Sequence, residues 1–294
     1  MLTRVDRMLL AVRDREAAAD AFQAILGAER VREDSSRLLG AKRTVVQAGI
    51  SEFELLEPTG DGLPAGRRGP VVTHLERWGE GILGVGFSTA DLSALGRRLS
   101  EKGIAHREEG GRLFIPARPA GGASDQTPGM NIVLSPDEAR SPVGLITWLY
   151  EVTNIVDDHQ RAAAFYAGAF GLDADRFSPI ASEQYGYTGQ LLLFNPPQQL
   201  DRIELTQITE PSLAMGRFFS RRGQSIYMCY VETDDVAAVQ GRLKERGARY
   251  TGRSDDPNPE GLFIHPSALH GMLMGVSRTN LAWTWSGRPE LARL

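Results

Sequence analysis

Residues 12–27, VRDREAAADAFQAILG, and residues 156–171, VDDHQRAAAFYAGAFG, share one pattern at an offset of 144 residues. In each, an Asp precedes a Gly by thirteen positions, and the Ala-rich segment between them is the length of a helix. ADLSALGRRLSEKG (90–103) and DDVAAVQGRLKERG (234–247) repeat at the same offset, each with an Asp twelve positions before a Gly. FIPARPAGGASDQTPGM (114–130) and FIHPSALHGM (263–272) form a third pair that agrees at both ends, with seven extra residues in the first copy. Three pairs in the same order make the chain a tandem duplication, and a repeat of this kind fixes the architecture before any single element is considered. The expected halves are 1–138 and 145–280, with a tail over 281–294. The stretch SPDEARSPVG (135–144), with two prolines among its charges, is the expected linker.

Each half repeats itself again, more loosely. In every quarter a short apolar run leads to an Asp suited to cap a helix (Asp14, Asp91, Asp158, Asp235), and a Gly suited to end it follows. Strand-like runs come next: TVVQAG and EFELLEP in the first quarter, GRLFIP and MNIVLS in the second. GQLLLFNP and RIELTQI serve the third, GLFIHP and GMLMGVS the fourth. The predicted class is α+β, with four strand–helix–three-strand modules.

Composition bounds the function. At 294 residues, with 41% apolar and 24% charged residues, the chain reads as a globular protein of two domains. No run of 18 apolar residues is present, so no membrane span is expected, and the charge-broken N-terminus is not a secretory leader, which points to the cytoplasm. A net charge of −4 with dispersed basic residues argues against nucleic acid as a partner. The single cysteine, Cys229, excludes an intrachain disulfide framework and a multi-cysteine zinc site.

The βαβββ module used in pairs, the ELLEP strand (54–58) and the segment LERWGEGILGVGF (75–87) resemble the vicinal oxygen chelate superfamily, across roughly residues 4–278. That superfamily includes glyoxalase I, methylmalonyl-CoA epimerase, extradiol dioxygenases and bleomycin-resistance proteins. The resemblance implies four modules paired into two cup-shaped domains, with a metal held inside by ligands from the first and last strands of the modules. Its first-strand ligand, usually His, lies seven residues before the capping Asp. Those positions hold Arg7, Gly84, Glu151 and Met228 here. The last-strand ligand, usually Glu or Gln, maps onto Glu54 and Glu204, and near Val133 and Gly275. The five histidines (His74, His106, His159, His265, His270) all fall elsewhere, which disfavours an iron dioxygenase.

The first cup is left with Arg7 and Glu54, expected to pair and serve structure. The second has Glu151 and Glu204, expected to face each other; two carboxylates sharing an apolar cavity push one pKa upward, as a general acid or base requires. These two are the candidate catalytic residues, with Glu151 as base. Tyr230, Met228, Tyr185 and His265 are the candidate substrate contacts. No cofactor is called, although a divalent metal bridging Glu151 and Glu204 would be a weak site of the kind hard cations accept. The expected function is lyase or isomerase chemistry by proton transfer next to a carbonyl of a small metabolite. A non-catalytic binding protein of the bleomycin-resistance type is the alternative, and a ring-cleaving dioxygenase ranks below both. The tail, LAWTWSGRPE in 281–290, is expected to pack over an interface between the halves, or between subunits of a homodimer.

Overall fold

A computed structural model describes residues 1–59, 69–117, 127–194, 200–252 and 259–291. The middle of the third repeat pair (118–126) and the end of the strand-like run GQLLLFNP (195–196) lie outside the described residues.

The first half contains strands β1 (Leu2–Ala11), β2 (Glu29–Ser36), β3 (Ala41–Ala48), β4 (Ser51–Pro58), β5 (Gly81–Thr89), β6 (Arg107–Glu109), β7 (Arg112–Ile115) and β8 (Asn131–Pro136). Its helices are α1 (Arg15–Leu26), α2 (Pro70–Trp78) and α3 (Leu92–Glu101). The second half repeats them. Its strands are β9 (Trp148–Ile155), β10 (Phe177–Ser182), β11 (Tyr187–Leu193), β12 (Arg202–Ile208), β13 (Ser225–Glu232), β14 (Tyr250–Thr251), β15 (Gly261–Ile264) and β16 (Met274–Ser277). Its helices are α4 (His159–Phe170), α5 (Ala214–Arg222) and α6 (Val236–Glu245), and the short α7 (Thr279–Thr284) follows.

The capping chemistry places the helices. The Asp14 carboxylate accepts from the backbone N–H groups of Glu16 and Ala17, and α1 stops at Gly27 in the left-handed conformation, φ 70°. Asp158 and Gly171 (φ 69°) do the same for α4. Asp91 and Asp235 cap α3 and α6 through the N–H groups of Ala94 and Ala238.

The strands form two sheets of the same order, β2-β3-β4-β1-β5-β8-β7-β6 and β10-β11-β12-β9-β13-β16-β15-β14. In each, the first strands of two modules run antiparallel at the centre, β1 beside β5 and β9 beside β13. The last strand of each module flanks them in parallel. Two α+β cups follow, each made of two βαβββ modules, the expected fold.

Alternation along the central strands sends side chains to two sides of each sheet. Val5, Met8 and Leu10 of β1 and Val152 of β9 enter a large core with Phe22 of α1, Leu95 of α3, Tyr166 of α4 and Val239 of α6. Leu9 and Ala11 lie on the other face, inside the first cup, together with Leu56, Leu83, Phe114 and Val133. The helix α2 adds Val71 and Leu75, which fills this cup with hydrocarbon. Neither α2 nor its counterpart α5 was expected, because no side chain caps the N-terminus of either.

The tail lies against the second cup: Ala282 and Trp283 of α7 are buried with Tyr150 and Leu200, and Trp285 packs beside them.

Candidate functional site

The concave face of the second sheet carries an ion pair. Arg202 and Glu151 are direct neighbours across the parallel pair β12/β9, and the Arg202 Nε donates to a Glu151 carboxylate oxygen at 2.6 Å. Both are buried, Arg202 completely. The Arg202 guanidinium also lies over the Tyr150 ring, 5.2 Å from its centroid. Burial works against this cation, and the charge of Glu151 outweighs it, so the guanidinium stays protonated.

Two residues along β12, Glu204 points to the same side. The Thr153 hydroxyl donates to its carboxyl at 2.6 Å and lies 3.3 Å from Glu151. Glu204 is 9% exposed, whereas Glu151 is 1% exposed, so Glu204 is the carboxyl nearer to water. Burial, followed by the Glu151 charge, pushes the Glu204 pKa up to about 8, with the Thr153 hydrogen bond opposing. The carboxyl of the pair that burial raises is Glu204. Glu151 is paired with Arg202, an arrangement that differs from the free carboxylate expected of it.

Aromatic hydroxyls surround this carboxyl. Tyr187 is pushed well up by burial and then by the charges of Glu204 and Glu151, which keeps its phenol neutral. Tyr230 lies directly across β13/β9 from Glu151 and is held protonated by burial and the same carboxylates. It stacks on Tyr150 with ring centroids 6.0 Å apart and meets Trp285 at 5.7 Å. Met228, buried, is the cross-strand neighbour of Thr153. Tyr185, 43% exposed, is a surface residue two positions before Tyr187. The structure therefore brings Glu151, Glu204, Tyr230 and Met228 together, with Tyr185 at the rim. His265 does not join them: its Nδ1 accepts from the backbone N–H of Ser267 and caps a short turn. Cys229 faces the core, where burial raises its thiol pKa and disfavours the thiolate.

Arg202 and Thr153 were missed in the sequence, although a signal for Arg202 existed. It stands two residues before Glu204, and period-2 alternation puts both on one face.

In the first cup the same ladder position carries the reverse polarity. Arg7 of β1 faces Glu52 of β4, with its guanidinium 2.9 Å from the Glu52 carboxylate and 3.0 Å from Glu54. Glu54 also binds Arg43 at 3.0 Å, and Arg112. Asp6 binds Arg7 and Arg140. Burial alone would raise Asp6, but the two guanidinium groups hold it below the usual carboxylate range. The expected Arg7–Glu54 pair exists as one edge of this wider network.

A metal of the kind the family's ligand positions imply does not fit these donors. Glu54 is already bound by three guanidinium groups, and Glu151 by one. A divalent cation at either carboxylate would sit beside a fixed positive charge and lack imidazole ligands. Among the described residues no three His, Cys, Asp or Glu side chains gather as a metal centre would need.

Residues 149–267 match the family model of the Glyoxalase/Bleomycin resistance protein/Dioxygenase superfamily. Among solved structures, a triple mutant of 4-hydroxymandelate synthase from Streptomyces coelicolor superposes with a TM-score of 0.66 at 13% identity, covering 95% of this chain and 93% of that one. A xylose isomerase-like TIM barrel/4-hydroxyphenylpyruvate dioxygenase fusion protein gives 0.58 at 12%, over 95% of this chain and 49% of that one. Methylmalonyl-CoA epimerase from Mycobacterium tuberculosis is 26% identical over 46% of this chain and 89% of its own, with a TM-score of 0.38. No curated protein sequence matches the chain. Residues 149–267 thus carry a domain of the Glyoxalase/Bleomycin resistance protein/Dioxygenase superfamily, and the first half repeats its strand order.

Proposed function

We propose that the second cup moves a proton at a carbon next to a carbonyl of a small metabolite, with Glu204 as the acid–base group. The observation that carries this reading is the carboxyl itself, raised to about 8 and held between Thr153 and the Glu151–Arg202 pair. A base of that strength is matched to a weakly acidic C–H near neutral pH. In the forward step the Glu204 carboxylate takes the proton, and the C–H electron pair moves into the carbonyl to form an enolate. A neutral phenol, Tyr187 or Tyr230, donates a hydrogen bond to the enolate oxygen. Returning the proton to the same carbon exchanges or epimerises it; returning it to another isomerises the substrate. No step requires a metal.

The test is proton exchange in D2O, followed by NMR over a panel of carbonyl compounds including 2-oxo acids and acyl thioesters. Exchange above the buffer rate is expected for at least one compound, rising with pH to a plateau above about pH 8 as Glu204 ionises. Glu204→Gln should lower it by about 10²–10⁴. Exchange that survives Glu204→Gln unchanged would remove the assignment. The packing of α7 and Trp285 against the cup favours a second reading, a protein that sequesters a ligand. Tight binding with no exchange across the panel would select that reading.

A further inference from the structure

At the end of the second cup that α7 covers, buried donors outnumber acceptors. Arg202 uses only its Nε; both its terminal nitrogens are buried and have no hydrogen-bond partner. The indole N–H groups of Trp148 and Trp285 are also buried and unpartnered. These residues belong together: Trp148, Trp285 and Tyr230 pack on the cluster of Tyr150, Leu200, Ala282 and Trp283, and the Arg202 guanidinium lies over the Tyr150 ring. A buried N–H without an acceptor keeps its full desolvation penalty, so four unpaired donor nitrogens in one cluster are a costly arrangement for a site with no ligand. The buried carboxyl of Glu232, the cross-strand neighbour of Trp148, lies at the same end, and the four nitrogens still lack a further acceptor with several lone pairs and negative charge.

We infer that this end of the second cup is a carboxylate-binding subsite, in which Arg202 grips the ligand through its two terminal nitrogens while Trp148 and Trp285 donate to the remaining lone pairs. The end of the guanidinium opposite Nε presents two roughly parallel donors, the fork that matches a planar carboxylate. A carboxylate has about four lone-pair positions on its two oxygens, enough for all four nitrogens. Glu151 neutralises the rest of the guanidinium from the Nε side and fixes its direction. The inference rests on the second cup being the ligand site, as the proposed proton transfer also assumes. It adds that the substrate carries a carboxylate besides the carbonyl.

The experiment uses the full chain and an unreactive probe, malonate, followed by calorimetry and by tryptophan fluorescence. Three of the four tryptophans lie at this site, so their emission should change with occupancy. Saturable binding is expected for malonate and not for malonamide, which has the same skeleton and no charge. Arg202→Lys keeps the charge and loses the fork, and should weaken binding by at least about tenfold. Trp285→Phe keeps the ring and loses one donor, and should weaken it about three- to tenfold. If Arg202→Lys fails to fold, Trp285→Phe and Trp148→Phe carry the test. Glu204→Gln removes a nearby negative charge and should bind malonate at least as tightly as the parent while losing proton exchange, which separates this inference from the proton-transfer reading: either can fail alone. Malonate that does not bind the folded chain at millimolar concentration, or that binds Trp285→Phe and Trp148→Phe as tightly as the parent, would overturn the inference. Equal affinity for malonate and sulfate would reveal an adventitious anion site only, and would overturn it too.

Discussion

At the scale of single residues, the two cups carry one ion pair in opposite senses, Arg7 with Glu52 and Glu151 with Arg202. Breaking a buried pair leaves an uncompensated charge, so Glu151→Gln should destabilise the protein by about 3–5 kcal/mol, measured by urea denaturation. The double variant Glu151→Gln/Arg202→Gln should recover a good part of that loss; equal damage in both would mean the pair is not coupled. This differs from the outcome expected of a free catalytic base, whose replacement would spare the fold. A second residue, Asp201, accepts from the Val5 N–H at 2.7 Å and ties the second half to β1. Burial pushes its pKa from 3.8 up to about 8, against the Val5 hydrogen bond and Arg4. The folded state therefore keeps a proton that the unfolded chain releases, and stability should fall as pH rises from about 4 to 8, then level off. Asp201→Asn can still accept from Val5 and cannot ionise. Between pH 5 and pH 8 it should gain on the parent by on the order of a few kcal/mol in denaturant titrations. A pH-independent difference would refute the assignment.

At the scale of elements, the four Asp-capped helices were legible because a side chain marks each start and a glycine follows each end. The strand pattern was legible because alternation and the cap fix the register, which put Glu151 and Glu204 on one face. What stayed hidden lacked a local signal. The helices α2 and α5 have no side-chain cap, and α7 is six residues long, too short to show a period. Their positions are set by what they cover. α2 closes the first cup with Val71 and Leu75, so Leu75→Ala should cost about 2–4 kcal/mol in stability. It should leave proton exchange in the second cup unchanged; a loss of exchange in the folded variant would make the first cup part of the active machinery.

At the scale of the whole molecule, the repeat predicted two cups, but the core they share was not legible. One apolar cluster runs through both halves, with Phe22, Leu95, Tyr166 and Val239 from four helices and strand residues from both sheets. The stretch 135–144 between the halves is also pinned: Arg140 binds Asp6, and Gly49 forms a bridge with Val143. Contacts of this kind join residues far apart in sequence, where no local pattern exists to read. They should make unfolding cooperative. Calorimetry should show a single transition whose van't Hoff and calorimetric enthalpies agree, and two resolved transitions would show that the halves are energetically independent.

The reversed ion pair also constrains how the duplicated halves could have diverged. If both copies began with one polarity, changing a single residue would place two like charges side by side in a buried ladder, Arg with Arg or Glu with Glu. That intermediate loses the attraction and sets two like charges against each other in a buried ladder, a penalty comparable to much of a domain's stability. The inversion is therefore a two-step valley, crossed through a neutral intermediate or by paired changes. Reconstructing Arg7→Glu alone, Glu52→Arg alone and both together would retrace the valley in the present protein, with the double variant more stable than either single one.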